Sequence, residues 1–172
     1  MNRDLSKFKE YLENCLEISM KNNWGASRIG GLYGEVFVAN KLLKYEPQIG
    51  AERENKNADI YLKEIGRRVE VKWASFYEKE RYWSWGFGEG KQIENEKFDY
   101  CVLVASDENG KVKHCFVFTY DEMSKLKHGD KGMISQKYYI TVYEGSVEYE
   151  NELESDLNKN TEKYEERWDK IK

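Results

Sequence analysis

"RRVEVKWAS", residues 67–75, alternates as a half-buried β-strand does, with Val69, Val71 and Trp73 on one side. Arg68, Glu70, Lys72 and Ala74 take the other side. Residues i and i+2 of a strand share a face and lie about 6–7 Å apart. Glu70 and Lys72 can therefore converge on one small object. "KEIG" (63–66) is a turn, and "ADIYL" (58–62) reads as the partner strand of a hairpin. The hairpin returns Asp59 to Glu70 and Lys72, with the register open by one residue.

Working outward, residues 4–22 read as a helix carrying Leu5, Phe8, Leu12, Leu16 and Met20 at helical spacing. "NNWGASRIGG" (22–31) reads as a break. A second helix is expected from about Leu32 to Tyr45, ending before Pro47. Plotted at 100° per residue, it places Glu35 inside its apolar arc. A carboxylate there is costly unless it is paired or binds a cation. After the hairpin, residues 75–92 form a long aromatic connection, and "KQIENEKF" (91–98) contains a short helix. "DYCVLVAS" (99–106) is a strand buried on both faces, "DENG" a turn, and "KVKHCFVFT" (111–119) the returning strand. A short helix begins at Thr119 or Asp121, "KYYITVYEG" (137–145) is a last strand, and residues 150–171 form a charged helix. The expected fold is α/β: a single mixed β-sheet flanked by helices. Residues 1–150 make up that domain, and 151–172 a C-terminal helix packed on or extending it.

Composition narrows the function. The chain has 172 residues, 35% of them charged and 40% hydrophobic, which suits one globular domain. No apolar run reaches the roughly 18–20 residues of a membrane span. The charged N-terminus is unlike a secretory signal, so the expected location is cytoplasmic. Three cysteines without CxxC spacing read as reduced thiols. With two histidines in the chain, a His-rich zinc site or a Ser-His-Asp triad is disfavoured. Residues 144–172 carry 10 acids against 5 Lys/Arg, which leaves residues 1–143 at a net charge of +1. A phosphate-binding face would therefore be local.

Glu35, Asp59, Glu70 and Lys72 have plain alternatives. Glu70 and Lys72 could be an ordinary surface ion pair, Asp59 a turn cap, and Glu35 a buried carboxylate bridged to Arg28 or Arg68. Taken together, three carboxylates and one lysine from two strands and an inward-facing helix suit a hard cation such as Mg²⁺. They also suit phosphodiester hydrolysis by a polarised water.

The helix "GLYGEVFVANKLL", then "AD", then "VEVK" after a hairpin turn, resembles the PD-(D/E)xK nuclease superfamily, the restriction-endonuclease-like fold. The likeness spans residues 28–120, with Ala58 standing where many such proteins have Pro. It implies that Asp59, Glu70 and the Val71 carbonyl hold Mg²⁺, or Mn²⁺ as a substitute. Lys72 would position or activate the water, and Glu35 would serve a second metal or hold the first through water. Gln92 would take a supporting catalytic role. Arg28, Lys79, Arg81 and Lys91 are the expected phosphate contacts. The aromatics of "RYWSWGF" (81–87) are either a satellite core or a stacking surface for bases. The implied activity is a Mg²⁺-dependent DNA endonuclease, most like a small type II restriction enzyme, acting on double-stranded DNA as a homodimer. A structure-selective nuclease such as a Holliday-junction resolvase, or a non-catalytic nuclease-fold DNA-binding module, are the alternatives.

Overall fold

The computed structural model describes residues 2–22, 25–50, 58–87, 98–126, 139–144 and 161–172. Helix α1 spans Asn2–Asn22 and α2 spans Ala26–Lys41. The strands are β1 (Pro47–Ile49), β2 (Ile60–Leu62), β3 (Arg67–Ser75), β4 (Tyr82–Gly86), β5 (Tyr100–Ser106), β6 (Val112–Thr119) and β7 (Tyr139–Tyr143). A short helix, α3 (Tyr120–Leu126), follows β6. Among the described residues β1-β2-β3-β5-β6 form a five-stranded sheet in that order, with β3 and β5 parallel and the other pairs antiparallel. The fold is thus α/β with a mixed sheet and a few helices.

The alternation of β3 sorts the two faces. Val69 and Val71 join Val38 and Ala39 of α2, and Leu42 just after it, in one core. On the opposite face Ala74 packs with Cys101, Leu103, Phe116 and Phe118, beneath Trp83, Trp85 and Ile140. β5 is buried along its whole length, as its unbroken apolar run predicts.

Four features depart from the sequence reading. First, α2 starts at Ala26 and runs through Gly30 and Gly31 without a break there. A Cβ on Gly30 would lie 2.4 Å from Trp73 Cε3, so this glycine serves close helix–sheet approach. Second, β1 adds an edge strand that the short "PQI" did not announce. Third, β4 and β7 form a separate two-stranded antiparallel ribbon. The expected single sheet is therefore a five-stranded sheet plus a ribbon. Its strands alternate Trp83, Trp85, Ile140 and Val142 inward, which buries Trp83, Trp85 and Phe87 of "RYWSWGF" as core. The indole N–H groups of Trp83 and Trp85 donate to the carbonyls of Ser106 (2.7 Å) and Val104 (3.1 Å).

Fourth, residues 161–172 are not the expected helix but a strap with 3₁₀ turns at Thr161–Lys163 and Trp168–Lys170. The segment lacks the broad apolar stripe that would hold a helix down. It instead pairs with the outer edge of β6: Val117 N–H donates to Tyr164 O (2.8 Å), and Glu166 N–H to Cys115 O (2.8 Å). Tyr164 enters the core on one face, while Ile171 and Trp168 pack on the other. The strap so covers an otherwise open sheet edge.

Lys170 fastens the strap through Glu122, with Nζ 2.9 Å from Oε1. Burial raises the Glu122 pKa, but the Thr119 N–H, the Lys170 ammonium and the Thr119 hydroxyl outweigh it, and the net shift is downward. A depressed carboxylate stabilises the fold above its ordinary pKa, and that stability is lost as pH falls through the lower folded value. Lys170→Met should therefore cost about 1–2 kcal/mol at pH 7. In thermal melts across pH, the gap from wild type should close below about pH 4.

Candidate active site

Asp59 sits one residue before β2, at the point where the hairpin ladder stops. The register pairs Ile60 with Val69, so Asp59 would next oppose Glu70. Instead the chain bends, and Asp59 Oδ2 accepts the Val71 N–H at 2.7 Å. The carboxylate thus replaces a ladder partner and is fixed beside β3. The turn that permits the hairpin ends at Gly66, whose φ of +62° favours glycine.

Glu70 and Lys72 share the β3 face that lies under the ribbon. Their side chains form an ion pair through Glu70 Oε1 and Lys72 Nζ. The Glu70 side chain is 4% exposed and that of Lys72 23%. β4 runs back over the sheet, and the residue following it, Phe87, brings its ring centroid 5.9 Å from Lys72 Nζ. Burial pulls the Lys72 pKa down, but the charges of Glu70 and Asp59 more than offset it, and the net shift is upward. Lys72 is therefore an ammonium at neutral pH. Cys101 lies opposite Glu70 in the β3–β5 register. Its thiol pKa is pushed well up, first by burial and then by the Glu70 charge, with Lys72 opposing and Asp59 adding. One thiol thus feels all three charged groups, which occupy one corner of the sheet.

The remaining residues selected from the sequence are more scattered. Glu35 is half-buried on α2, next to Gly34, where a Cβ would contact Val71 and Trp73 at 3.5 Å. Arg28 is exposed in the first turn of α2. Arg68 is engaged by Asp99 through both its backbone N–H (2.8 Å) and its Nε (3.2 Å). Lys79 is exposed in the turn before β4, at the end of the ribbon away from Phe87. Arg81, in the same turn, pairs with Glu144 at 3.0 Å. Lys91 and Gln92 lie outside the described residues. Among the described residues no three His, Cys, Asp or Glu side chains are gathered closely enough to hold a metal ion.

Cys101 and Asp99 escaped the sequence reading, and Phe87 entered it among the aromatics of "RYWSWGF" without a link to Lys72. The parallel β3–β5 register would have found Cys101, since "YCVLVA" offers it to the Glu70 face. Asp99 carries no such sequence signal. No known family's sequence profile matches the chain, and no curated protein sequence matches it.

Asp59 separates geometry from charge. Asp59→Asn keeps an oxygen for the Val71 N–H and should leave the melting temperature within a few degrees of wild type. Asp59→Ala strands a buried N–H and should cost about 1–3 kcal/mol. Chemical denaturation of the two variants measures the difference.

Proposed function

We propose that the protein is a Mg²⁺-dependent endonuclease that hydrolyses DNA phosphodiester bonds, built on a restriction-endonuclease-like sheet. The observation that carries this reading is the juxtaposition of Asp59, held by the Val71 N–H, with the buried Glu70–Lys72 pair on β3. The helix, the antiparallel hairpin and the buried apolar strand that follows are the elements on which the PD-(D/E)xK resemblance rests.

The donor set fits a hard divalent cation. Asp59, Glu70 and the Val71 carbonyl offer oxygen ligands. Mg²⁺ is usually held by one or two carboxylates together with waters and substrate phosphates, not by an all-protein cage. When bound, such a cation supplies charge that polarises the scissile phosphate and favours ionisation of a nearby water. Lys72, already protonated, donates hydrogen bonds and offsets the charge that builds on the pentacovalent phosphorus. It therefore acts as a positive orienting group and not as the base. The Phe87 ring shields one side of its ammonium from water, which strengthens that electrostatic role. Glu35 is proposed to orient a water from α2, and Gln92 to support the site. Arg28, Lys79, Arg81 and Lys91 are proposed phosphate contacts. Double-strand cleavage would be the work of a homodimer, one site per strand.

A cleavage panel tests this reading. Long duplex DNA, a four-way junction, single-stranded DNA and RNA would each be incubated with Mg²⁺ and with EDTA. Discrete duplex fragments that vanish with EDTA support the proposal. Cutting confined to the junction moves the activity to a resolvase. Retention of DNA with no cleavage of any substrate identifies a binding module.

A further inference from the structure

Helix α1 carries two apolar stripes, and only one is used inside the fold. Leu12, Leu16 and Ser19 are buried, and the two leucines pack with Tyr33 and Val36 of α2. The second stripe is Phe8, Tyr11, Cys15 and Ile18, spaced three, four and three residues apart. Phe8 is 42% exposed, Tyr11 64% and Ile18 57%. This alternation of three and four is the seam spacing of helices that pack by knobs into holes. Such a seam presents its side chains to another helix running alongside.

The seam is self-complementary in one orientation. Turned antiparallel about a two-fold axis midway between positions 11 and 15, Phe8 meets Ile18 of the second helix and Tyr11 meets Cys15. Each layer then sets a large ring against a smaller side chain. The charges agree. Residues 2–11 hold Arg3, Lys7 and Lys9 against Asp4 and Glu10, a net of +1, and residues 12–22 hold Glu13 and Glu17 against Lys21, a net of −1. Antiparallel pairing sets the basic half beside the acidic half and opposes the two helix dipoles. A two-fold interface must place the same patch on both copies. This seam can do that without a foreign partner. At these exposures Phe8, Tyr11 and Ile18 offer on the order of 300 Å² per copy, the apolar centre of a small interface. Lys7, Glu10, Asn14 and Glu17 border it as a polar rim.

We propose that the exposed Phe8–Tyr11–Cys15–Ile18 face of α1 is a docking surface for α1 of a second copy of this chain, in antiparallel register. This does not depend on the nuclease reading, since it concerns association alone.

Sedimentation velocity of the full chain at tens of micromolar tests it. The wild type should sediment at twice the 20.5 kDa of one chain. Tyr11→Lys and Ile18→Lys should each weaken association at least tenfold and yield monomer. Because both side chains are more than half exposed, circular dichroism and melting of the variants should match those of a monomer-diluted wild type. A second measurement needs no variant: a short bismaleimide should link wild-type chains through Cys15, since Cys101 and Cys115 are buried. Wild-type monomer at this concentration, or a dimer indifferent to both substitutions, overturns the proposal, as does a dimer that bismaleimide leaves unlinked.

Discussion

Replacing Lys72 with Met should lower the melting temperature by roughly 5–10 °C and reduce any DNA cleavage by about 10²–10³-fold. The two effects share a cause. Glu70 is 4% exposed, and Lys72 is its ion-pair partner. Removing one member of a buried pair leaves an uncompensated charge, which costs about 3–5 kcal/mol when both groups are fully desolvated. Lys72 keeps 23% exposure, so water can reach the site and about 2–3 kcal/mol is expected. Glu70→Gln combined with Lys72→Met removes the stranded charge. The double variant should recover most of the stability and none of the activity. If an added divalent cation takes the place of the ammonium, Mg²⁺ should raise the melting temperature of Lys72→Met more than that of wild type. Thermal melts of wild type, the two single variants and the double variant, with and without Mg²⁺, measure both effects.

Gly30→Ala should destabilise the protein although alanine is the better helix former. Helix propensity favours the substitution by about 1 kcal/mol. Against this, the new methyl would lie 2.4 Å, 2.5 Å and 2.7 Å from Cε3, Cδ2 and Cε2 of Trp73. That indole is wedged between α2 and β3, so α2 must lift. Overpacking of this kind costs about 1–3 kcal/mol, and more where a rigid ring is the obstacle. A net loss of about 2 kcal/mol is expected, visible as a melting temperature lower by roughly 4–8 °C. Trp73→Phe in the same chain trims the fused ring that supplies Cε3 and so makes room for the methyl. It also removes a buried indole N–H that has no hydrogen-bond partner. The double variant should therefore be more stable than additivity of the two single losses allows.

The hairpin was legible because its signals are local. β3 alternates strictly, "KEIG" supplies the turn, and "DYCVLVAS" shows β5 buried on both faces. "ADIYL", the turn and β3 alone set Asp59 beside Glu70 and Lys72. What was not legible depends on tertiary contact. "NNWGASRIGG" has the composition of a break, yet Gly30 lies inside α2 because Trp73 needs the room. "RYWSWGF" sits in what reads as a connection, and its pairing with β7 lies more than fifty residues away. Charged residues at helical density made the tail look helical, although it is held by the β6 edge and by Lys170. On a helical wheel Glu35 falls inside the apolar arc of α2; in the structure Gly30 and Gly34 face Trp73, and Glu35 is half-buried.

The Asp59–Glu70 corner is proposed to bind a divalent cation, and the nuclease reading stands on that. Titration calorimetry with Mn²⁺, run on wild type, Asp59→Asn and Glu70→Gln, tests it most directly. The expected result is a saturable heat in the wild type that is lost or weakened at least tenfold in both variants, while all three proteins stay folded. Equal heats in all three, or none in the wild type, would mean that Glu70 and Lys72 are an ion pair on a strand and that this corner of the sheet carries no metal-dependent chemistry.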